Sequence, residues 1–476
     1  MIHVDARHTR YAQVAKRAAS AVSRSTASPL LLWLAGVMVF VSPFNGAVSF
    51  GPLGELGHEA YALVALAALP ILLMDLAKGR AVALERRIIV AAVVLFLVAM
   101  SSLLLNFGAV LSARQKGEWG LVRLFTSVSV LMFGFYCSVL IHAAASVDFR
   151  RYFLKPLLAT TVIACAVGFV ELASWYASPI YNVYRAVSST VLHASTGRGQ
   201  FVLGRIQSVS FEASAFGALV IFVLPWCYSY VLEKGLRRAW PIALATAGIV
   251  FLSACSGRTS IAGVAGVTLV YAVVTAMSRL QRGTGAAPML STAMFLAGIL
   301  PVAGIIVFTD QIVQFIQASH SPSNASRFGT VSIMIRLFQA HPLLGVGPGQ
   351  YGFYARDMIE SWAYNWEFER WLGNPSASFF PSFSVYARFA GEWGAIGFGI
   401  WTLFVASLTS GAAMTWQKVK AAGVIPRYGV AVITSLFGVV LVGWSSGSFK
   451  VFNLWAAIAM ATVYIAAPLR VEREGD

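Results

Sequence analysis

The chain has 476 residues, of which 58% are apolar and only 11% charged, where soluble domains average roughly 45–50% and about 25%. This composition excludes a soluble globular protein, and the abundance of apolar surface excludes disorder. The formal net charge of +16 would suit a nucleic-acid binder, but the placement of the basic residues gives it another meaning.

Crossing the hydrocarbon of a bilayer takes about 20 apolar residues as a helix. In chain order such runs fall at 29–49, 58–76, 88–107, 121–143, 157–177, 213–232, 240–256, 260–278, 289–308, 383–409, 428–445 and 453–468, so twelve transmembrane helices are expected. The runs are continuous, not alternating, which excludes a β-barrel and leaves an all-α polytopic membrane protein. The chain divides into a basic tail (1–28), nine spans (29–308), a large loop (309–382), three further spans (383–468) and a short tail (469–476). Cys137, Cys165, Cys227 and Cys255 all lie in apolar stretches without zinc or redox spacing, and read as buried small hydrophobes.

Basic residues mark the first tail (Arg7, Arg10, Lys16, Arg17, Arg24) and then every second connection. These are Lys78, Arg80, Arg86 and Arg87; Arg150, Arg151 and Lys155; Lys234, Arg237 and Arg238; Arg279 and Arg282; Lys418, Lys420 and Arg427; and finally Arg470 and Arg473. The positive-inside rule then puts both termini in the cytoplasm. The charge is a topology signal, and no nucleic-acid partner is expected. The basic tail of residues 1–28 is too long to open a removable signal, so the first run reads as an anchor. No GxxxxGK[ST] motif occurs, which excludes an ATP-driven pump within the chain. The two long connections, 178–212 and 309–382, fall on the outer side, and loops of that length are usually functional.

Basic residues on the outer side are nearly all Arg, including Arg205, Arg258, Arg327 and Arg336. The guanidinium fork pairs bidentately with phosphate and stays charged when buried, so the set points to an anionic ligand. Arg258 sits in a tight polar break, Ser256-Gly257-Arg258-Thr259-Ser260, between two spans. Val331, Met334, Ile335 and Phe338 recur at helical spacing, predicting an amphipathic helix capped by Ser326, opened by Arg327 and ended by His341-Pro342. Arg336 lies about 180° round that helix from Arg327, so the two cannot grip one phosphate from one face. A tight glycine turn, Gly345 to Gly349, follows, and then a second, aromatic-rich helix from Met358 to Trp371. Glu392 has Arg388 four residues back, the spacing of a helical ion pair. No metal or cofactor is expected, since no His/Asp/Glu constellation is visible.

The run Arg327 to Tyr351, with His341-Pro342-Leu343-Leu344-Gly345-Val346-Gly347-Pro348-Gly349, resembles the signature of the O-antigen ligase/polymerase superfamily. Arg205…Glu212-Ala213-Ser214 and the turn Ser256–Ser260 are similar to further motifs of that family, and Arg336-x10-Gly347 is similar to the Arg-x10-Gly pattern of its polymerases. The likeness covers residues 200–400 well and the N-terminal third by topology alone. One departure is informative: Phe383-Ser384-x9-Gly394-Ala395-Ile396-Gly397 has Phe383 where the family's ligases carry His.

The resemblance implies a GT-C-like, metal-independent, inverting membrane glycosyltransferase in the bacterial inner membrane, with its active site on the periplasmic face. Its substrate would be an undecaprenyl-diphosphate-linked glycan, polymerised during O-antigen or exopolysaccharide biosynthesis, with a chain-length regulator and a flippase as partners. Arg205, Arg258, Arg327 and Arg336 would bind the diphosphate, and Glu212 or His341 would accept the acceptor hydroxyl's proton, with Glu392 a third candidate. A ligase moving glycan onto lipid A–core in lipopolysaccharide biosynthesis is the nearest alternative, and a transporter of lipid-linked oligosaccharide is the next.

Overall fold

Where no water reaches the backbone, a chain must satisfy its peptide groups internally, and continuous apolar runs do so as helices. The structure, a computed structural model, describes residues 27–47, 50, 56–80, 82, 85–194, 204–280, 322–374 and 379–473. Eleven of the twelve expected runs are helices: α1 (Pro29–Val41), α2 (Ala60–Ala77), α3 (Arg86–Leu105), α5 (Gly120–Val147), α6 (Lys155–Ser174), α8 (Ala213–Lys234), α9 (Leu236–Ala254), α10 (Arg258–Leu280), α14 (Val385–Ala421), α15 (Arg427–Gly443) and α16 (Phe452–Ala466). The remaining run, 289–308, lies outside the described residues. Among the described residues seven helices are long and apolar enough to cross a membrane, and α1, α15 and α16 are shorter apolar helices. The protein is thus all-α with a membrane-compatible bundle.

Shorter elements fill the connections. These are α4 (Phe107–Ser112), a two-residue-stranded hairpin (Arg114–Gln115 with Glu118–Trp119), α7 (Ser178–Val187), α11 (Pro322–Ala340), α12 (Tyr351–Met358), α13 (Trp366–Gly373) and α17 (Pro468–Arg473). Two expectations for the large loop need correction. Helix α11 begins at Pro322, so Ser326 is no cap: it is buried inside the helix, donates to the Pro322 carbonyl at 3.0 Å and meets Asn365 Oδ1 at 3.0 Å. Arg327 therefore sits in the second turn, away from the unpaired amides of the helix start. The stretch 358–371 is not one helix, because Asn365 accepts from Glu367 N at 2.9 Å and caps α13 as a separate element.

The connections gather at two ends of the bundle. At one end Tyr61 donates to the Lys450 carbonyl (2.6 Å), Ser210 to that of Pro43 (3.3 Å) and Ser102 to that of Leu344 (3.0 Å). At the other, Arg150 pairs with Glu233 at 2.7 Å, Lys420 donates to the Met277 carbonyl at 2.6 Å and Ser229 to that of Arg427 at 2.9 Å. These are the two groups that alternate in the sequence, the second being the Lys- and Arg-rich one. Between them small residues allow close helix contact: a Cβ on Gly134 of α5 would run into the Trp455 indole of α16.

The glycine turn after α11 has a specific structural task. Helix α14 breaks at Gly394, whose φ of 63° and ψ of −169° are not helical. Such a break orphans carbonyls and amides inside an apolar bundle, at about 1–3 kcal/mol each if left unpaired. The turn supplies the partners: Val346 N and Gly347 N donate to the carbonyls of Gly391 and Glu392 (3.2 and 3.0 Å), and Ala395 N and Ile396 N donate to those of Pro342 and Leu343 (2.7 and 3.1 Å). Asn106, the residue after α3, donates to the Gly345 carbonyl at 3.1 Å and ties the turn to the bundle. A Cβ at Gly394 would meet the Leu343 carbonyl and the Gly345 amide, whereas one at Gly399 would meet nothing within 4 Å. Gly394→Ala should lower the unfolding midpoint of the purified protein by at least the equivalent of about 1–3 kcal/mol of backbone strain. Gly399→Ala should leave it unchanged or raise it by up to about 1 kcal/mol, with both read by intrinsic fluorescence on heating.

At the opposite end α17 folds back on α15. The Glu472 carboxylate accepts from Gly429 N (2.8 Å) and Tyr428 N (3.2 Å), two amides of the first turn of α15 that have no partner within that helix. Burial holds this carboxyl up at about 7, against the two amides, which pull it down from there. Because that value exceeds the 4.5 of a free Glu, the docked tail keeps a proton that an undocked tail would release. Docking should be strongest below about pH 4.5 and weaken as pH rises through about 7. Hydrogen exchange at residues 468–473 should accordingly be faster at pH 8 than at pH 6 after correction for intrinsic rates, and Glu472→Gln should abolish the difference.

Candidate functional site

The segments that carry three of the residues singled out in the sequence lie at the end of the bundle where α8, α9 and α10 converge. Ile206 N donates to the Cys255 carbonyl at 3.1 Å, so the segment carrying Arg205 runs beside the turn leading to Arg258 at the head of α10. Glu212 is the residue before α8, and that helix packs so closely on α10 that a Cβ on Gly217 would meet the Ser260 hydroxyl. Arg205 and Glu212 are both exposed. The Glu212 carboxylate accepts from Ser214 Oγ at 3.0 Å.

The loop holding Arg205 and Glu212 is pinned by residues the sequence reading passed over. Glu171, buried in α6, accepts from Gln207 N at 3.1 Å to each carboxylate oxygen and from Ser208 N at 2.6 Å. Ser208 is held at φ 54°, an uncommon conformation for a residue with a Cβ, and its hydroxyl donates to the Ala164 carbonyl at 2.6 Å. Further along, Asn45 Oδ1 accepts from Phe211 N at 3.0 Å. One signal could have revealed Glu171: an ionisable residue inside an apolar run is by default a residue with a task.

Lys450 and Phe211 extend this end of the bundle. The Lys450 ammonium lies 3.7 Å from Glu59 Oε1 and 5.8 Å from the Phe211 ring centre, next to Glu212 in the chain. Beyond the 446–450 turn, Arg388 donates to Glu392 (2.9 Å), Ser127 (2.9 Å) and the Gly447 carbonyl (3.0 Å). Glu392 is fully buried against Arg388, as the i,i+4 spacing suggested, and serves the bundle as an ion pair.

The residues of the large loop stand apart. Arg327 has its guanidinium 5.7 Å from the Phe383 ring centre and forms no ion pair among the described residues. Arg336 pairs with Glu360 at 2.8 Å, facing away from Arg327 as the helical spacing required. His341 is half-buried at the end of α11, its ring 6.5 Å from that of Tyr354. The structure thus sets the main chain next to Arg205 beside the turn leading to Arg258 and packs the helix that follows Glu212 on α10, and it leaves Arg327, Arg336 and His341 on a second element.

Two arginines and one carboxylate on neighbouring segments at one end of an apolar bundle have the chemistry to bind a phosphorylated headgroup and take up a proton beside it. Among known proteins, no family model and no curated sequence matches the chain. Glu171→Ala should free the loop without touching Arg205 or Glu212 directly. Amide exchange at Gln207 and Ser208 should then accelerate by about tenfold or more, read by mass spectrometry on the detergent-purified protein.

Proposed function

We propose that the protein is a membrane glycosyltransferase of the O-antigen ligase/polymerase kind, extending undecaprenyl-diphosphate-linked oligosaccharide on the non-cytoplasmic face of a bacterial inner membrane. In this reading the chain crosses the bilayer twelve times in a GT-C-like arrangement, with both termini in the cytoplasm and the Arg205–Glu212–Arg258 end outside. The observation that supports the reading is the main-chain contact between Ile206 and Cys255, which runs the segment carrying Arg205 beside the turn leading to Arg258.

The chemistry follows from those three residues. Outside the cytoplasm no nucleotide is at hand, so the donor sugar arrives already activated on a lipid diphosphate. An acceptor hydroxyl attacks the anomeric carbon, the bond from that carbon to the diphosphate oxygen breaks, and the electron pair leaves with the diphosphate. Arg205 and Arg258 neutralise the charge that develops there, a role worth roughly 10²–10³ in rate for a single well-placed donor. Glu212 accepts the hydroxyl proton as general base. It suits that role better than Glu392, whose carboxylate is taken up by Arg388, and it opens the helix packed on the one that Arg258 heads, whereas His341 closes the large-loop helix α11. Arg327, unpaired by any acid among the described residues, is a further contact for the diphosphate or its glycan, whereas Arg336 is engaged by Glu360. A chain-length regulator and a flippase are the partners such a reaction requires.

Purified protein in vesicles, supplied with lipid-linked repeat units, should produce a ladder of longer glycans. Arg205→Ala, Arg258→Ala and Glu212→Gln should each slow it by roughly 10²-fold or more, and Arg336→Ala should slow it far less. Glycan appearing on added lipid A–core in place of a ladder would make the protein a ligase, and counterflow without new glycosidic bonds would make it a transporter. Wild-type rates in both arginine variants would overturn the assignment of the site.

A further inference from the structure

Helix α7 follows α6 after only three residues and continues as a π-helical turn, Ser188–Leu192. At about 100° per residue its side chains sort into three faces. Tyr184, Ser188 and Leu192 are buried and pack the element against α6. Asn182, Arg185 and Ser189 form an exposed polar face. The third face is apolar and equally exposed: Ile180, Val183 and Val187 are 39%, 66% and 45% accessible, with Val191 continuing the line and Tyr176, at 84%, standing at the junction with α6.

A water-facing helix would not present a row of branched aliphatic side chains opposite its polar residues. By the helical wheel the centres of the two exposed faces lie about 180° apart, the arrangement of a helix lying in a membrane interface with one side in acyl chains and the other in water. The apolar row also continues an apolar exposed surface. Val162, Phe169 and Val170 of α6 are 39%, 43% and 48% accessible, and α6 belongs to a segment long and apolar enough to cross a membrane. An element that starts three residues beyond the end of such a span sits at the boundary between hydrocarbon and water, where an exposed Tyr is at home.

We propose that residues 176–191 form an in-plane helix seated in the outer lipid–water interface, with Ile180, Val183 and Val187 in the acyl region and Asn182 and Arg185 at the aqueous surface. The occupant of the exposed apolar face is therefore lipid. Tyr184, on the protein side of the same helix, hydrogen-bonds to Glu171, the residue that holds Gln207 and Ser208. The in-plane helix thus fixes the loop bearing Arg205 and Glu212 at the depth of lipid headgroups.

The test is collision accessibility of nitroxides on single introduced cysteines in the full-length protein in lipid vesicles. Val183→Cys and Val187→Cys are compared with Asn182→Cys and Arg185→Cys, and protein without an introduced cysteine gives the background from the four native ones. The ratio of oxygen to water-soluble nickel-chelate collisions should be several-fold higher at 183 and 187 than at 182 and 185. Equal ratios on the two faces would overturn the proposal by putting both in water. Exclusion of both reagents at 183 and 187 would overturn it differently, by showing protein, either another segment or a second copy, covering the row.

Discussion

Inside an apolar bundle no peptide group can turn to water, and this constraint shapes the protein more than any single side chain does. It is met trivially along the helices and at some cost wherever the chain departs from one. The break at Gly394 is the clearest departure: four backbone bonds from residues 342–347 close it, and Ser102 of α3 and Asn106 just after that helix secure the turn that makes them. The glycine-rich signature after His341 is thus explained by backbone geometry. Gly345 must admit the Glu392 carbonyl where a Cβ would stand, which leaves this motif a scaffold and moves the search for chemistry elsewhere.

The same constraint governs the loop around Arg205. Residues 206–211 form no helix, yet most of them are buried, so their amides need acceptors from the protein. Glu171, the Cys255 carbonyl and Asn45 provide them. A carboxylate receiving three amide contacts is a stronger anchor than any neutral acceptor, and it fixes a loop whose flanks carry an arginine and a glutamate into a defined position. Rigidity on the buried side and exposure on the other suit the role proposed above, binding a charged, membrane-tethered ligand without deforming.

The two ends of the bundle solve different electrostatic problems. At the Lys- and Arg-rich end Glu233 contacts both Arg150 and Lys234, and Glu472 closes the first turn of α15. At the opposite end several arginines stack on aromatic rings, Arg123 over Phe379, Arg327 over Phe383 and Arg388 over Phe449. Stacking preserves the positive charge while lowering its exposure to water; Arg123 is also paired with Glu118 and Arg388 with Glu392, whereas Arg327 has no acidic partner among the described residues.

The amino-acid sequence by itself determined the helices, their approximate limits and the alternation of their ends, because apolar length and Lys/Arg placement are local properties that lipid reads directly. It also determined that Arg336 faces away from Arg327 and that Arg388 pairs with Glu392, since helical spacing alone decides both. It misplaced the start of α11, where Ser326 has the chemistry of a cap but is buried by Asn365 from a distant segment. Tertiary structure alone decided that Arg205 lies beside the turn to Arg258, that Glu171 is the anchor of that loop, and that α14 breaks where residues 342–347 can repair it. Each of these rests on hydrogen bonds between segments tens to about two hundred residues apart or on close packing between helices, and no local pattern encodes which distant amide a given carboxylate or carbonyl will meet.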